Sequence, residues 1–121
     1  MEPYRYEFAD AELEALARVV SDLFPDQTIF KQHTADDGAP ELVVQWVAMR
    51  FGPAARRMTL NVRFAPAAFG RYRALPPRMR ARSFAVLRAF FEAALGSLEE
   101  QYASGSAVAR EMAIELGDEF A

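Results

Sequence analysis

Charge is sorted along this chain into three blocks, and the sorting limits how the chain can fold. Leu42 to Phe91 is a stretch of fifty residues with ten arginines and no Asp or Glu. Residues 1–41 hold ten acids against Arg5, Arg18 and Lys31, and residues 92–121 hold seven acids against Arg110. A modest net charge of −3 conceals this pattern. Like charges confined to one part of a compact domain repel one another. Either the acidic flanks fold back on the basic middle, within one chain or across a dimer, or the middle holds an anion.

A chain of 121 residues makes one domain, 1–121, large enough to bury roughly two-thirds of its unfolded surface. The apolar fraction of 52% supplies a core and excludes a disordered composition. With no cysteine, the fold is held by burial alone, which suits a reducing cytoplasm. No segment joins a basic start to an apolar run and a cleavage site, so no signal peptide is expected. The apolar runs fall well short of the ~20 residues of a membrane span, so no membrane partner is expected either. Thirteen arginines stand against one lysine. A GC-rich genome accounts for that choice of base but not for its clustering.

Tyr4-Arg5-Tyr6-Glu7-Phe8 alternates aromatic and charged residues. It reads as a short strand, or as an extended arm with Phe8 against the first helix. Asp10 is placed as an N-cap, with Glu12 and Glu14 in the first turn and Leu13, Leu16, Ala17, Val20, Leu23 and Phe24 at helical spacing up to Pro25. Gln27–Thr34 is β-prone and runs into the turn signal Asp36-Asp37-Gly38. Leu42–Phe51 is a long strand, ended by Gly52-Pro53. Arg57–Phe64 is the clearest strand: Met58, Leu60, Val62 and Phe64 share one face, and Arg57, Thr59, Asn61 and Arg63 the other. Pro66–Leu75 reads as a short helix interrupted by Gly70. A long helix follows from Pro76-Pro77 to about Tyr102, with the stripe Phe84, Leu87, Phe91, Leu95, Leu98 and Tyr102. Ser106, Val108, Met112 and Leu116 indicate a short C-terminal helix, and Gly117 onward a loose tail. The fold expected is α+β: a three-stranded antiparallel sheet, with a short strand or arm before it, an N-terminal helix, a long helix after the sheet and a short C-terminal helix.

The Leu42–Phe51 strand sharpens this expectation. One face carries Leu42, Val44, Trp46 and Ala48, and the other Val43, Val47, Met49 and Phe51, with only Gln45 polar. Both faces need cover. Helices supply it on one side; the C-terminal helix or a second copy of the chain supplies it on the other.

Two constellations are candidate binding sites. Arg71, Arg73, Arg78, Arg80 and Arg82 cluster around the start of the long helix, where unpaired N–H groups and the helix dipole favour an anion. The alternative is that they pair with the acidic first helix, and this is the expectation favoured. Arg57, Thr59, Asn61 and Arg63 form a polar sheet face able to hold a nucleic-acid strand beside an aromatic such as Trp46; a solvated face is the favoured alternative. His33 is the only histidine, and without a second His or any Cys the usual zinc sets cannot form. The glycines make no phosphate loop and no serine sits in a nucleophile elbow. Neither catalysis nor a cofactor or metal is expected.

The order helix, three antiparallel strands, helix resembles the double-stranded RNA-binding domain. Arg78, Arg80 and Arg82 stand where that family carries its basic phosphate contacts, so the likeness implies RNA binding. The same order resembles the first half of the small acidic secretion chaperones of Gram-negative bacteria, which implies a dimer. The Ala- and Arg-rich character, and Tyr-Arg-Tyr-Glu-Phe running into an acidic helix, resemble small uncharacterised proteins of GC-rich proteobacteria. The expectation taken forward is a cytoplasmic bacterial interaction module that associates with itself, without catalysis. A nucleic-acid or anion binder using the arginine block ranks second and a small enzyme third.

Overall fold

The computed structural model describes residues 3–48, 56–103 and 111–121. Its elements are β1 (Arg5–Glu7), α1 (Ala11–Val20), β2 (Ile29–Thr34), β3 (Pro40–Ala48), β4 (Arg56–Phe64), α2 (Pro66–Ala74), α3 (Ala81–Ala103) and β5 (Glu111–Leu116). The strands form one sheet in the order β1-β2-β3-β4-β5. The central pairs β2–β3 and β3–β4 are antiparallel, while each outer strand lies parallel to its neighbour. Parallel neighbours need a crossover. Helix α1 makes the first one; α2 and α3 lie between β4 and β5 in the chain and span the second.

Local chemistry starts each element where the sequence marks it. The Asp10 carboxylate accepts from the N–H groups of Glu12 and Leu13 at 2.9 and 3.3 Å, capping α1. The Gln32 side-chain oxygen on β2 accepts from the Ala9 and Asp10 N–H groups, which ties that cap to the sheet. Gly38 takes φ +85° in the β2–β3 turn, a conformation that suits glycine. Pro66 opens α2 in the first turn, where its missing N–H is not needed. The interruption expected at Gly70 is not there; α2 runs unbroken through it.

All three helices pack on one face of the sheet. Phe30, Leu42, Val44, Leu60, Val62, Phe64 and Leu116 project from the strands into the same cluster as Leu13, Leu16 and Val20 of α1, Phe69 and Tyr72 of α2, and Leu87 and Phe91 of α3. Leu16 and Val20 of the first helical stripe, Leu60, Val62 and Phe64 of the apolar strand face, and Leu87 and Phe91 of the long-helix stripe are all 0–1% exposed; Leu95 is half-buried at the cluster's margin.

The expected three-stranded antiparallel sheet is overturned: the sheet has five strands and is mixed. The sheet implied by the likeness to the double-stranded RNA-binding domain goes with it. The short N-terminal strand is present, parallel to β2. The expected C-terminal helix is instead strand β5. Met112 and Leu116 fit a helical spacing, but Met112, Ile114 and Leu116 also alternate, and pairing opposite Leu60, Val62 and Phe64 of β4 selects the strand. Ser106 and Val108, Gly52-Pro53, and Met49 and Phe51 lie outside the described residues. The expected loose tail is also corrected. Phe120 is 1% exposed, with its ring 5.0 Å from that of Phe64 and 5.1 Å from that of Tyr72, and the buried Ser83 hydroxyl donates to its carbonyl at 2.6 Å. The long helix begins at Ala81, after a single 3-10 turn at Pro77–Met79, so Arg82 alone of the three arginines lies within it.

Candidate functional site

The basic middle of the chain lies between its two acidic flanks in space as well as in sequence. Arg73 pairs through its guanidinium with Asp10, the α1 cap, and stacks over the Phe69 ring. Arg80 is the most buried of the paired arginines, its side chain 16% exposed. It pairs with Glu12 of α1 at 3.0 Å, donates to the carbonyls of Leu75 and Arg73 at the end of α2, and lies over the Tyr72 ring. One side chain thus satisfies orphan carbonyls of one helix while holding the first turn of another. Arg71 reaches the C-terminal segment, meeting Asp118 at 2.7 Å and the Ala121 carbonyl at 2.8 Å. Arg88 of α3 does for α1 what Arg80 does for α2. It donates to the Val19 carbonyl at 2.8 Å and clamps Asp22.

The electrostatics follow the geometry. Partial burial pushes the Asp10 carboxyl up, but the Arg73 hydrogen bond and the two helix N–H groups outweigh it and hold it below its ordinary value. The Arg88 hydrogen bond holds Asp22 low in the same way. Burial pushes the Tyr72 hydroxyl up.

Of the five arginines proposed as an anion site, Arg71, Arg73 and Arg80 are therefore engaged with acids. Arg78 on the 3-10 turn and Arg82 in the first turn of α3 are exposed, with no ion pair among the described residues. Beside Arg82 lies a cleft of about 290 Å³ lined by Leu75, Met79, Ser83 and the segment Asp118–Ala121. Asp118 and Glu119 make its charge mixed.

The second candidate, the polar side of β4, belongs to a surface that spans all five strands. No helix among the described residues covers it. Its register sets three rows of four or five strands, and a shorter one in which Val47 stands opposite Arg57. Arg5, Ile29, Gln45, Thr59 and Glu111 form the first; Glu7, Lys31, Val43, Asn61 and Ala113 the second; His33, Glu41, Arg63 and Glu115 the third. The third row is a ladder of charge. His33 Nδ1 lies 2.6 Å from Glu41, and Arg63 clamps Asp37 of the β2–β3 turn and comes within 4.0 Å of Glu115. The Arg63 hydrogen bond is the largest effect on Asp37 and holds its carboxyl at about 2. Asn61 donates to Glu111 at 3.1 Å. Arg57 and Thr59 make no such contact among the described residues. At their end of the surface Val47 is 46% exposed, beside a depression of about 170 Å³ lined by Gln27, Ile29, Gln45, Trp46 and Arg57.

Arg63 is thus tied into the surface, while Arg57 is available. Reading β4 alone missed Ile29 and Lys31 of β2, Val47 of β3, and the outer-strand residues Arg5 and Glu111. The alternation of Leu42–Phe51 pointed to Val47; nothing local pointed to Glu111, because its segment reads equally as a helix. Among the described residues no group of three or more His, Asp or Glu could hold a metal ion, and no helix is long and apolar enough to cross a membrane. No curated protein and no solved structure matches this chain. Residues 13–117 match the family described as protein of unknown function DUF3022, and the chain belongs to that family.

Proposed function

We propose that this protein is an interaction module of the bacterial cytoplasm that acts by contact and associates with itself through the helix-free face of its sheet. The observation that carries this reading is the one-sided placement of the helices. It leaves a five-stranded face with Val47 and Ile29 at one end, beside a shallow depression. A sheet that is solvated on one side ordinarily alternates apolar-in with polar-out. Strand β3 departs from that pattern, with Val43 and Val47 on the outer side. The edges offer less. β1 has three residues, and antiparallel pairing of two β5 strands about Ala113 would set Glu111 against Glu115 twice over.

Light scattering at micromolar concentration tests the reading. A dimer is expected, and Val47→Glu should dissociate it while leaving the melting temperature of the monomer unchanged, because Val47 contributes nothing to the buried core. A monomer at all concentrations overturns it.

A second reading rests on Arg78 and Arg82, which keep no acidic partner among the described residues. In it, the start of α3 contacts phosphates. Its test is low-salt titration with single- and double-stranded RNA and DNA. Binding that falls steeply with salt and disappears in Arg78→Ala/Arg82→Ala supports it, and no binding at low salt removes it.

A further inference from the structure

The charges at the two edges of the open face differ in sign and share a row. Arg5 stands on β1 at one end of the first row and Glu111 on β5 at the other, both exposed. Between them run Ile29, Gln45 and Thr59, none charged. We propose that two copies pack face to face about a two-fold axis parallel to β3, so that Arg5 of each copy meets the partner's Glu111. This rests on the self-association proposed above and specifies its geometry.

The argument is one of symmetry. Closed dimers are isologous, each contact occurring twice. A two-fold axis parallel to the strands reverses the strand order between facing sheets. β1 then lies over the partner's β5, and β3 over the partner's β3. Rows keep their level, so Arg5 faces the partner's Glu111 on both sides, while Val43, Val47 and Glu41 each face their own copy near the axis, Glu41 making the one like-charge contact of this arrangement. The other in-plane choice, an axis across the strands, keeps strand order and inverts the rows. Taken through the second row, it places Glu111 over the partner's Glu115 on both sides and Glu7 and Lys31 each over its own copy, four like-charge contacts with no opposite-charge one to offset them. Facing sheets lie about 10 Å apart, a gap that an arginine and a glutamate reaching from opposite sides can close. Arg5 already pairs with Glu7 on its own strand at 3.0 Å. Both side chains of that pair are well exposed, so exchanging it for a pair across the interface costs little.

Charge exchange tests the arrangement separately from the association. The dissociation constant is measured by analytical ultracentrifugation for the parent chain, Arg5→Glu, Glu111→Arg and the double variant. Each single reversal should weaken the dimer roughly tenfold, because it sets like charges together at two symmetric places, and the double variant should recover most of the loss. All three should melt like the parent in dilute solution. If the parent is a dimer that Val47→Glu dissociates, yet the double variant recovers nothing, the face is the interface and this arrangement is wrong. If the parent is a monomer, or Val47→Glu leaves the dimer intact, the arrangement falls together with the reading beneath it.

Discussion

The two faces of one sheet show how differently the same strands are stabilised. On the helix side of β3, Leu42 and Val44 are 0% exposed and interlock with side chains of α1 and α3. On the other side Val43 lies among Lys31, Asn61 and Glu41 and is only 7% exposed, while Val47, further along the strand, stands nearly half exposed. Stability resides on the first face, where each buried aliphatic or aromatic side chain contributes about 1.5–3 kcal/mol. The second face is held by pairs such as Arg63 with Asp37 and Asn61 with Glu111, which fix side-chain positions at little net gain. A face that contributes little to folding is free to be shaped for contact.

The contrast breaks most visibly at Phe91. It is 0% exposed and its ring meets that of Phe24 edge-on at 5.9 Å. Phe91→Ala should cost about 3–5 kcal/mol through lost burial and a residual cavity, read from urea denaturation. A loss below about 1 kcal/mol would mean that the helix side is not where stability lies. Phe120→Ala should fall in the same range and would show that the C-terminal segment belongs to the core.

Arg80 comes next. Removing it strands Glu12 and frees carbonyls at the end of α2, so Arg80→Ala should cost about 1–3 kcal/mol. Arg78→Ala and Arg82→Ala should leave the melting temperature unchanged. Equal effects at all three positions would show that the arginine block acts as one patch rather than as separate pairs.

Asp37 supplies a pH test of the open face. Its folded pKa lies below its ordinary value, so its contribution is present above about pH 4 and is lost as pH falls toward 2. Asp10 and Asp22 are shifted in the same direction and add to the same acid limb. NMR titration of Arg63→Ala should return Asp37 to the ordinary carboxylate value; an unmoved titration would detach Asp37 from Arg63.

The smallest effect is expected on the open face itself. Thr59→Val should change stability by no more than about 0.5 kcal/mol in dilute protein. A larger loss would show that this face is already covered in the single chain.

Patterns between neighbours in the chain were legible in the sequence. Asp10 marks the start of α1 and caps it. The alternation from Met58 to Phe64 identifies β4 and its buried face, and the helical stripe through Leu87 and Phe91 identifies the packed side of α3. The charge sorting favoured acids and arginines meeting over an anion-binding middle, and they meet at Asp10–Arg73 and Glu12–Arg80. Those signals are local because capping, side-chain alternation and the helical repeat are set within a few residues.

Tertiary structure decided the rest. Glu111–Leu116 satisfies both the strand and the helix period, and only hydrogen bonds from β4, some fifty residues earlier, choose between them. Arg80, rather than Arg78 or Arg82, became the buried partner of α1 because the 3-10 turn at Pro77–Met79 directs it between Tyr72 and Glu12. The open face drew Arg5, Lys31, Val47 and Glu111 together from four strands, a grouping set by register across the sheet and by no spacing along the chain.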